Sequence, residues 1–326
     1  MVASLVSIFF QPATALFMPQ SRFYWLYLMC TAIVAVLACR RRLAGSGNGV
    51  LSAAIREVFN PRIFFHPSAI TDYQFVFLNH FVFALMLGAA VTTAGALTHG
   101  GAAALAHVFG PASPRVPGTA AMVMFTVTSF LAADFGNFYF HLQQHRSPLL
   151  WELHKVHHSA EVLTPVTVFR VHPIAELLKM QFVALCVGLP ASVYLYLYGG
   201  PVSELRIAGI NLLLFLWQTV LASNLAHSHV WVMYPRGIRE IFYSPALHQI
   251  HHSAKPDHYG KNLGLAVTLW DRLAGTLYEP SETDRQDLVL GIDPDEMREL
   301  KTVGQLYWTP LHNIIFAKRR LAASER

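Results

Sequence analysis

Five stretches of this 326-residue chain run for 17 to 26 residues almost without a charged side chain, and no other feature limits its folding as tightly. They are Phe23 to Cys39, Tyr73 to Thr98, Gly118 to Phe140, Met180 to Gly200 and Ile207 to Ala226; only Asp134 interrupts them. A helix needs about 20 apolar residues to cross a hydrocarbon core of about 30 Å. The runs therefore predict an all-α, polytopic membrane bundle of four to five spans, the last two joined by a tight hairpin at Pro201 to Arg206. With 54% hydrophobic and 13% charged residues and a mean hydropathy of +0.39, the composition excludes a disordered, collagen-like or ordinary cytosolic chain. Met1 to Gln20 lacks a basic start and contains Pro12, which suits the membrane interface better than a signal peptide.

Charge placement gives an orientation. Arg40, Arg41 and Arg42 follow the first span directly and pin that end to the cytoplasm. Alternation from there leaves Arg22, Arg115 and Arg206 at the outer face and puts 141–179 and everything after Ala226 on the cytoplasmic side. The pI of about 9.2 then reflects topology and anionic headgroups, and no nucleic-acid motif is present. Leu51, Ile55, Val58 and Phe59 recur at helical spacing before Asn60 and Pro61, as in a surface-lying helix. Leu311, Ile314 and Ile315, followed by Lys318, Arg319 and Arg320, suggest another. The acidic stretch 281–300 reads as a solvated tail. Boundaries follow at 1–117 for membrane and interfacial helices, 118–280 for a catalytic domain and 281–326 for the C-terminal tail. Cys30, Cys39 and Cys186 are too few and too scattered for a disulfide framework or a CxxC site.

Histidine is the second constraint. Of 17, twelve fall within 141–172 and 227–258. Asp134, Phe138, His141 and His145 share one helix face, and Ser147–Pro148 then allows a new helix carrying His154, His157 and His158 at i, i+3 and i+4. His227 and His229 form an HxH pair, and His248, His251 and His252 repeat the HxxHH spacing. The adjacent pairs can reach two different ions. Ten neutral imidazoles suit iron, zinc, copper or nickel and exceed the needs of one ion, so two metals are expected. A lone histidine such as His80 is by contrast a packed core residue. Ten clustered titratable groups without a cation would be costly.

These elements resemble the fatty acid hydroxylase superfamily of integral-membrane di-iron proteins, over roughly Asp134 to Thr276. DFGNFYFHLQQH is similar to its D-F-x-x-Y-x-x-H-x-x-x-H, HKVHH to its second box, FRVHP (Arg170, His172) to R-x-H-P, and SPALHQIHHS to its third box. KNLGLAVTLWDRLAGT is similar to the closing K-N-F-G...WDRLFGT. Two departures are Leu142, where many members have Arg, and His229, where many have Asn. The resemblance implies two Fe ions, with Zn able to occupy the purified site. It also implies O2 as co-substrate and attack on an unactivated C–H bond of a fatty acyl or sterol-like membrane lipid. Hydroxyl rebound would give an alcohol and a second hydrogen abstraction an alkene; a lipid or sterol desaturase, or a sterol methyl oxidase, using the same dimetal centre is the alternative.

Asp134, inside a span, is expected to accept a hydrogen bond from a ligand histidine or near Tyr139. His172 and His258 are further candidates for ligation or for bonding to the ligands. Asn262, Trp270, Asp271 and Arg272 enter through the resemblance, Asn262 as a catalytic candidate. No CxxCH, iron–sulfur cysteine set or GxGxxG occurs, so a separate electron donor, a haem protein or a ferredoxin with its reductase, is expected at the basic cytoplasmic cap. A metal transporter would place ionisable groups midway along several spans, and here only Asp134 does so. A non-catalytic metal-bound scaffold is the third reading.

Overall fold

The computed structural model describes residues 14–45, 49–87 and 94–324, without the side chains of 83–87 and 317–324. The helices used below are α1 (Trp25–Arg42), α2 (Val50–Val58), α3 (Pro67–Leu87), α4 (Ala94–Phe109), α5 (Thr119–Arg146), α6 (Pro148–His158) and α7 (Pro173–Tyr198). After a two-residue pair of strands, β1 (Arg206–Ile207) and β2 (Ile210–Asn211), come α8 (Leu212–Thr219), α9 (Pro245–His251), α10 (Leu269–Ala274) and α11 (Val303–Ser324). Proline sets several starts. Pro148, Pro173 and Pro245 open α6, α7 and α9, where the absent N–H costs nothing. Ser147 and His172 cap the first two by accepting from Leu150 N and Ile174 N.

Among the described residues, α5 and α7 are the two helices long and apolar enough to cross a membrane. With 28 and 26 residues they rise about 42 and 39 Å. They pack together, with His141 near the end of one and His172 at the start of the other on one cavity, so they run antiparallel. At their far ends, Arg115 N donates to Tyr198 O at 2.9 Å.

The remaining predicted spans differ. Ile207 to Ala226 is no span. Ala208 and Gly209 both take positive φ (51° and 81°), the two-residue turn that suits a twisted β-hairpin. The hairpin is pinned to α5 through Thr126, whose hydroxyl accepts from Leu205 N and whose carbonyl accepts from Asn211 Nδ2. Asn211 caps α8, which has eight residues and rises only about 12 Å. Tyr73 to Thr98 divides between α3 and α4, with 88–93 outside the described residues. In α1 the uncharged part from Trp25 to Cys39 rises about 22 Å, short of the hydrocarbon core. Arg22, expected at the outer face, instead shares a cavity with His141, His154, His157 and His227. The alternation of five spans that separated them does not hold.

Val58, expected on the membrane-facing side of α2, is buried with Ala54 against Ala35 and Cys39 of α1, while Leu51, Ile55 and Phe59 form the exposed apolar face. The segment 281–300 is a correction too: Ile292 and Leu300 join Phe75, Val156 and Leu306 in a buried cluster, and Ser281 with Asp284 forms a capping box. Apolar residues between the acids anchor it beneath the histidine-bearing α6. Of the interfacial proposals, residues 1–13 and the side chains of Lys318, Arg319 and Arg320 lie outside the described residues.

Glycine sets how closely α4 and α7 approach. A Cβ on Gly101 would lie 2.7 Å from Ser192 Cβ, whereas one on the adjacent Gly100 meets nothing within 4 Å. Gly101→Ala is therefore expected to lower the thermal midpoint by an amount equivalent to about 1–3 kcal/mol. Gly100→Ala should be neutral or stabilising by up to about 1 kcal/mol, through helix propensity alone. Thermal unfolding of both variants in detergent distinguishes them, and equal behaviour would remove the close-packing argument.

Candidate metal centre

Nine of the ten histidines proposed as ligands converge in two groups. His141, His145, His154, His158 and His251 form one; His157, His227, His248 and His252 form the other; within each group the candidate nitrogens lie within 4.8 Å of one another. Helix geometry makes the division. On α6 His154 and His158 are one turn apart and face the first group, while His157 is rotated toward the second. On and just after α9, His248 and His252 face the second group and His251 the first. The adjacent pairs thus split between groups that touch, with the His158 and His252 rings 4.7 Å apart.

The nitrogen spacing fits cations. Nε2 of His154 lies 3.0 Å from Nε2 of His141 and 3.1 Å from that of His158. Nε2 of His227 lies 3.0 Å from His157 and 2.8 Å from His248, which in turn is 3.2 Å from His252. Two ligands at right angles around an ion with bonds of about 2.1 Å stand about 3.0 Å apart. Nε2 of His145 and of His251 are buried with no hydrogen-bond partner. His251 donates its Nδ1–H to Lys261 O at 2.9 Å, and His141 donates its own to Leu263 O at 2.8 Å. Those bonds fix the tautomer and leave each Nε2 lone pair aimed at the group's centre.

Asp134 does not touch a histidine. Its oxygens accept from Ala266 N (2.9 Å), Val267 N (3.2 Å) and Trp270 Nε1 (2.9 Å), while Tyr139 stacks on Phe182. Asp271 accepts from Leu263 N, Gly264 N and Thr276 Oγ1. A Cβ on Gly264 would come within 2.6 Å of the Asp271 carboxylate, so glycine permits that approach. The two carboxylates hold the strip whose Lys261 and Leu263 carbonyls orient His251 and His141. Asp134 acts one link further out than expected. Asn262, in the left-handed region (φ 55°), bonds Leu247 O, Tyr278 O and Tyr278 N and so braces the same strip; none of its contacts reaches the histidines. Arg272 Nε donates to Thr268 Oγ1, at 3.5 Å.

Three further candidates lie elsewhere. His229 donates from Nε2 to Glu57 O at 2.8 Å and packs on Phe64; His227 closes the 3₁₀ turn Ser223–His227, so the HxH pair is not one strand with both side chains on a shared face, and His227 alone joins the second group. His172 lines the cavity, but its Nδ1 caps α7 and its Nε2 donates to Tyr307 O. His258 faces Asp284, 3.3 Å away.

Sequence reasoning left Arg170 without a position and missed Asp72. Arg170 is 1% exposed, pairs with Asp72 at 2.7 Å, and donates to Val156 O, Ser159 Oγ and Leu300 O. The pair ties the end of α6, between His154 and Ser159, to α3 and to the C-terminal segment. Only the lone acid opening α3 hinted at Asp72.

Burial holds these imidazoles neutral. It pushes His157 down to about 3 and His154, His158, His227, His248, His251 and His252 well below the ordinary 6.5, with neighbouring charges lowering them further. Below 6.5 the unfolded chain binds protons that the folded site refuses, so stability is full above that value and falls as pH drops. Chelator-treated protein should lose thermal midpoint from pH 7 to pH 5, at up to about 1.4 kcal/mol per pH unit for each such imidazole; a flat profile would contradict the buried, neutral cluster. By metal analysis, His227→Ala should cost one of the two ions and His229→Ala none. Asp134→Asn should weaken metal affinity by about 10–100-fold.

Comparison with known proteins agrees with this architecture. Residues 126–276 match the family model Fatty acid hydroxylase. An ornithine lipid hydroxylase of Rhizobium tropici is 29% identical over 170 residues, 51% of this chain and 46% of the relative. An alkylglycerol monooxygenase of Xenopus tropicalis is 28% identical over 158 residues (47% and 30%), and a Delta(7)-sterol 5(6)-desaturase of Aspergillus fumigatus 24% over 148 (45% and 37%). The chain spans less than half the length of these relatives, and no solved structure matches it. The matched stretch contains all nine converging histidines and both carboxylates that brace them, and on that footing residues 126–276 are a fatty acid hydroxylase domain.

Proposed function

We propose that this protein is an integral-membrane lipid oxygenase in which the two histidine groups hold two iron ions and O2 serves as co-substrate. The observation that carries the reading is that the cavity at the centre and a mainly apolar cavity along the two long apolar helices share lining residues. A cavity of about 140 Å³ beside His141, His154, His157, His227 and His248 shares Asn137 and Leu265 with a second cavity of about 200 Å³. The second is lined by Phe130, Ala133, Val187 and Leu214, along α5, α7 and α8. An acyl or sterol-like body fits this mainly apolar slot while its reactive carbon reaches the metal cavity.

If bound by the two histidine groups, the irons would activate O2 for C–H attack, and imidazole nitrogen is a fitting donor for them. The chain's part is positional. Leu263 and Lys261 carbonyls orient His141 and His251, Asp134 and Asp271 hold those carbonyls, and Arg170 with Asp72 fixes α6. The relatives' names cover hydroxylation, monooxygenation and desaturation of lipids; hydroxylation is the leading reading and desaturation the alternative. A multi-pass arrangement with the centre on the cytoplasmic side suits reduction by a soluble or membrane-bound haem protein or ferredoxin.

Comparative lipid mass spectrometry of cells expressing the protein, or its His154→Ala variant, tests this. The expected result is a lipid carrying one additional oxygen, absent with the variant; loss of two hydrogens would select the desaturase reading. An unchanged lipid profile in cells whose protein carries two irons and is supplied with reductant would overturn both.

A further inference from the structure

The cavity beside the histidines holds a cation that lies outside the matched residues 126–276 and has no part in the ligand cage. Arg22 lines it together with the Glu176 and Lys179 pair. That pair is self-neutralising, since Lys179 Nζ lies 2.5 Å from a Glu176 carboxylate oxygen. Arg22 is left as the charge without an acidic partner among the described residues.

Its placement is built rather than incidental. Arg22 Nε donates to Asn224 Oδ1 at 3.3 Å, and Asn224 Nδ2 donates back to Arg22 O at 3.1 Å. The guanidinium lies over the Trp217 ring, 5.5 Å from its centroid. Asn224 belongs to the same 3₁₀ turn, Ser223–His227, as the ligand candidate His227, and the turn is entered through Ala222 at φ 45°. The cation is thereby set in register with the second histidine group. One face and Nε are used; the Nη groups have no protein acceptor among the described residues. Burial takes the guanidinium down to about 10, which leaves it charged at neutral pH. Arg22 is half-buried, and its open fork matches carboxylate or phosphate oxygens. Trp217 also lines the apolar slot, so one residue separates the place for an anion from the place for a chain.

We infer that Arg22 receives the carboxylate or phosphate of an anionic lipid headgroup in the metal cavity, with the acyl chain passing Trp217 into the slot between α5 and α7. This rests on the lipid-oxygenase reading and narrows its substrate to anionic lipids.

Binding without turnover tests it. The protein as purified, in neutral maltoside micelles under argon and without reductant, is titrated with laurate, dodecyl phosphate and monolaurin, and bound lipid is followed by native mass spectrometry. At least one of the two anions should bind tenfold or more tighter than monolaurin, and the better of the two identifies the headgroup acid. Arg22→Gln should remove that preference and leave monolaurin binding unchanged, Arg22→Lys should keep part of it, and Lys179→Gln should keep most of it. Equal affinities for all three lipids in the wild-type protein would overturn the inference, as would a preference that survives Arg22→Gln or disappears with Lys179→Gln alone. Because nothing is oxidised in this experiment, an anion preference without any lipid product in cells would sink the oxygenase reading and leave Arg22's role standing.

Discussion

Nine imidazoles packed mostly edge to face depend on one constraint: their lone pairs point at each other. A neutral ring carries one N–H, and a short contact between two ring nitrogens is satisfied only if one of them donates. Here Nε2 of His154, of His227 and of His248 each meets two other Nε2 atoms. Protonation would relieve the crowding of lone pairs only by adding buried positive charge, which the environment opposes. A divalent cation in each group would satisfy all the lone pairs at once, and its binding free energy would become part of the stability of the fold.

The rest of the structure keeps those rings in place. Several imidazoles sit near helix ends, where fraying would misalign them, and each end is braced from elsewhere in the chain. Arg170 gathers Val156 O, Ser159 Oγ and Leu300 O around α6 and is itself neutralised by Asp72. A buried pair of this kind contributes little net stability, but removal of either member strands a charge at a cost of about 3–5 kcal/mol. Asp134 and Asp271 do the same for the strip after Asn262, by way of backbone N–H groups. All four charged residues are long-range partners of the ligand cage and none belongs to it.

The sequence made the cage legible and left its bracing obscure, for a physical reason. HxxxH and HxxHH announce themselves because helix periodicity converts spacing into a shared face, and nine of the ten proposed ligands converge accordingly. His229 fails because HxH spacing carries such meaning only in a known backbone conformation. Asp134 stood out as a carboxylate in an apolar run, yet its partners lie 132 to 136 residues away and no local pattern encodes them. The last predicted span, Ile207 to Ala226, differs for another reason. Hydropathy cannot tell a helix of 20 residues from a β-hairpin, an eight-residue helix and a 3₁₀ turn of equal apolarity; the Ala208–Gly209 turn and the cap at Asn211 make that division between Ile207 and Ala226. The acidic segment 281–300 misled because its charges outnumber the few apolar residues, such as Ile292 and Leu300, that decide its burial.

Arg22 shows what depth in a membrane protein means for charge. Counted by alternation it belonged to the face opposite the histidines, yet it is tied to Asn224, three residues before His227. A short apolar helix beginning at the level of the metal cavity cannot also carry its first residue across the bilayer, so α1 serves better as a wall than as a span. Its Ala35 and Cys39 pack with α2 and with Ala222, Leu225 and Val230, the residues that flank the His227 turn. The wall thus supports one ligand of the cage at its middle and presents a cation to the cavity at its start. The histidine cage and the cation beside it are thereby set by the same piece of backbone, the turn that carries Asn224 and His227, and their relative position follows from that turn.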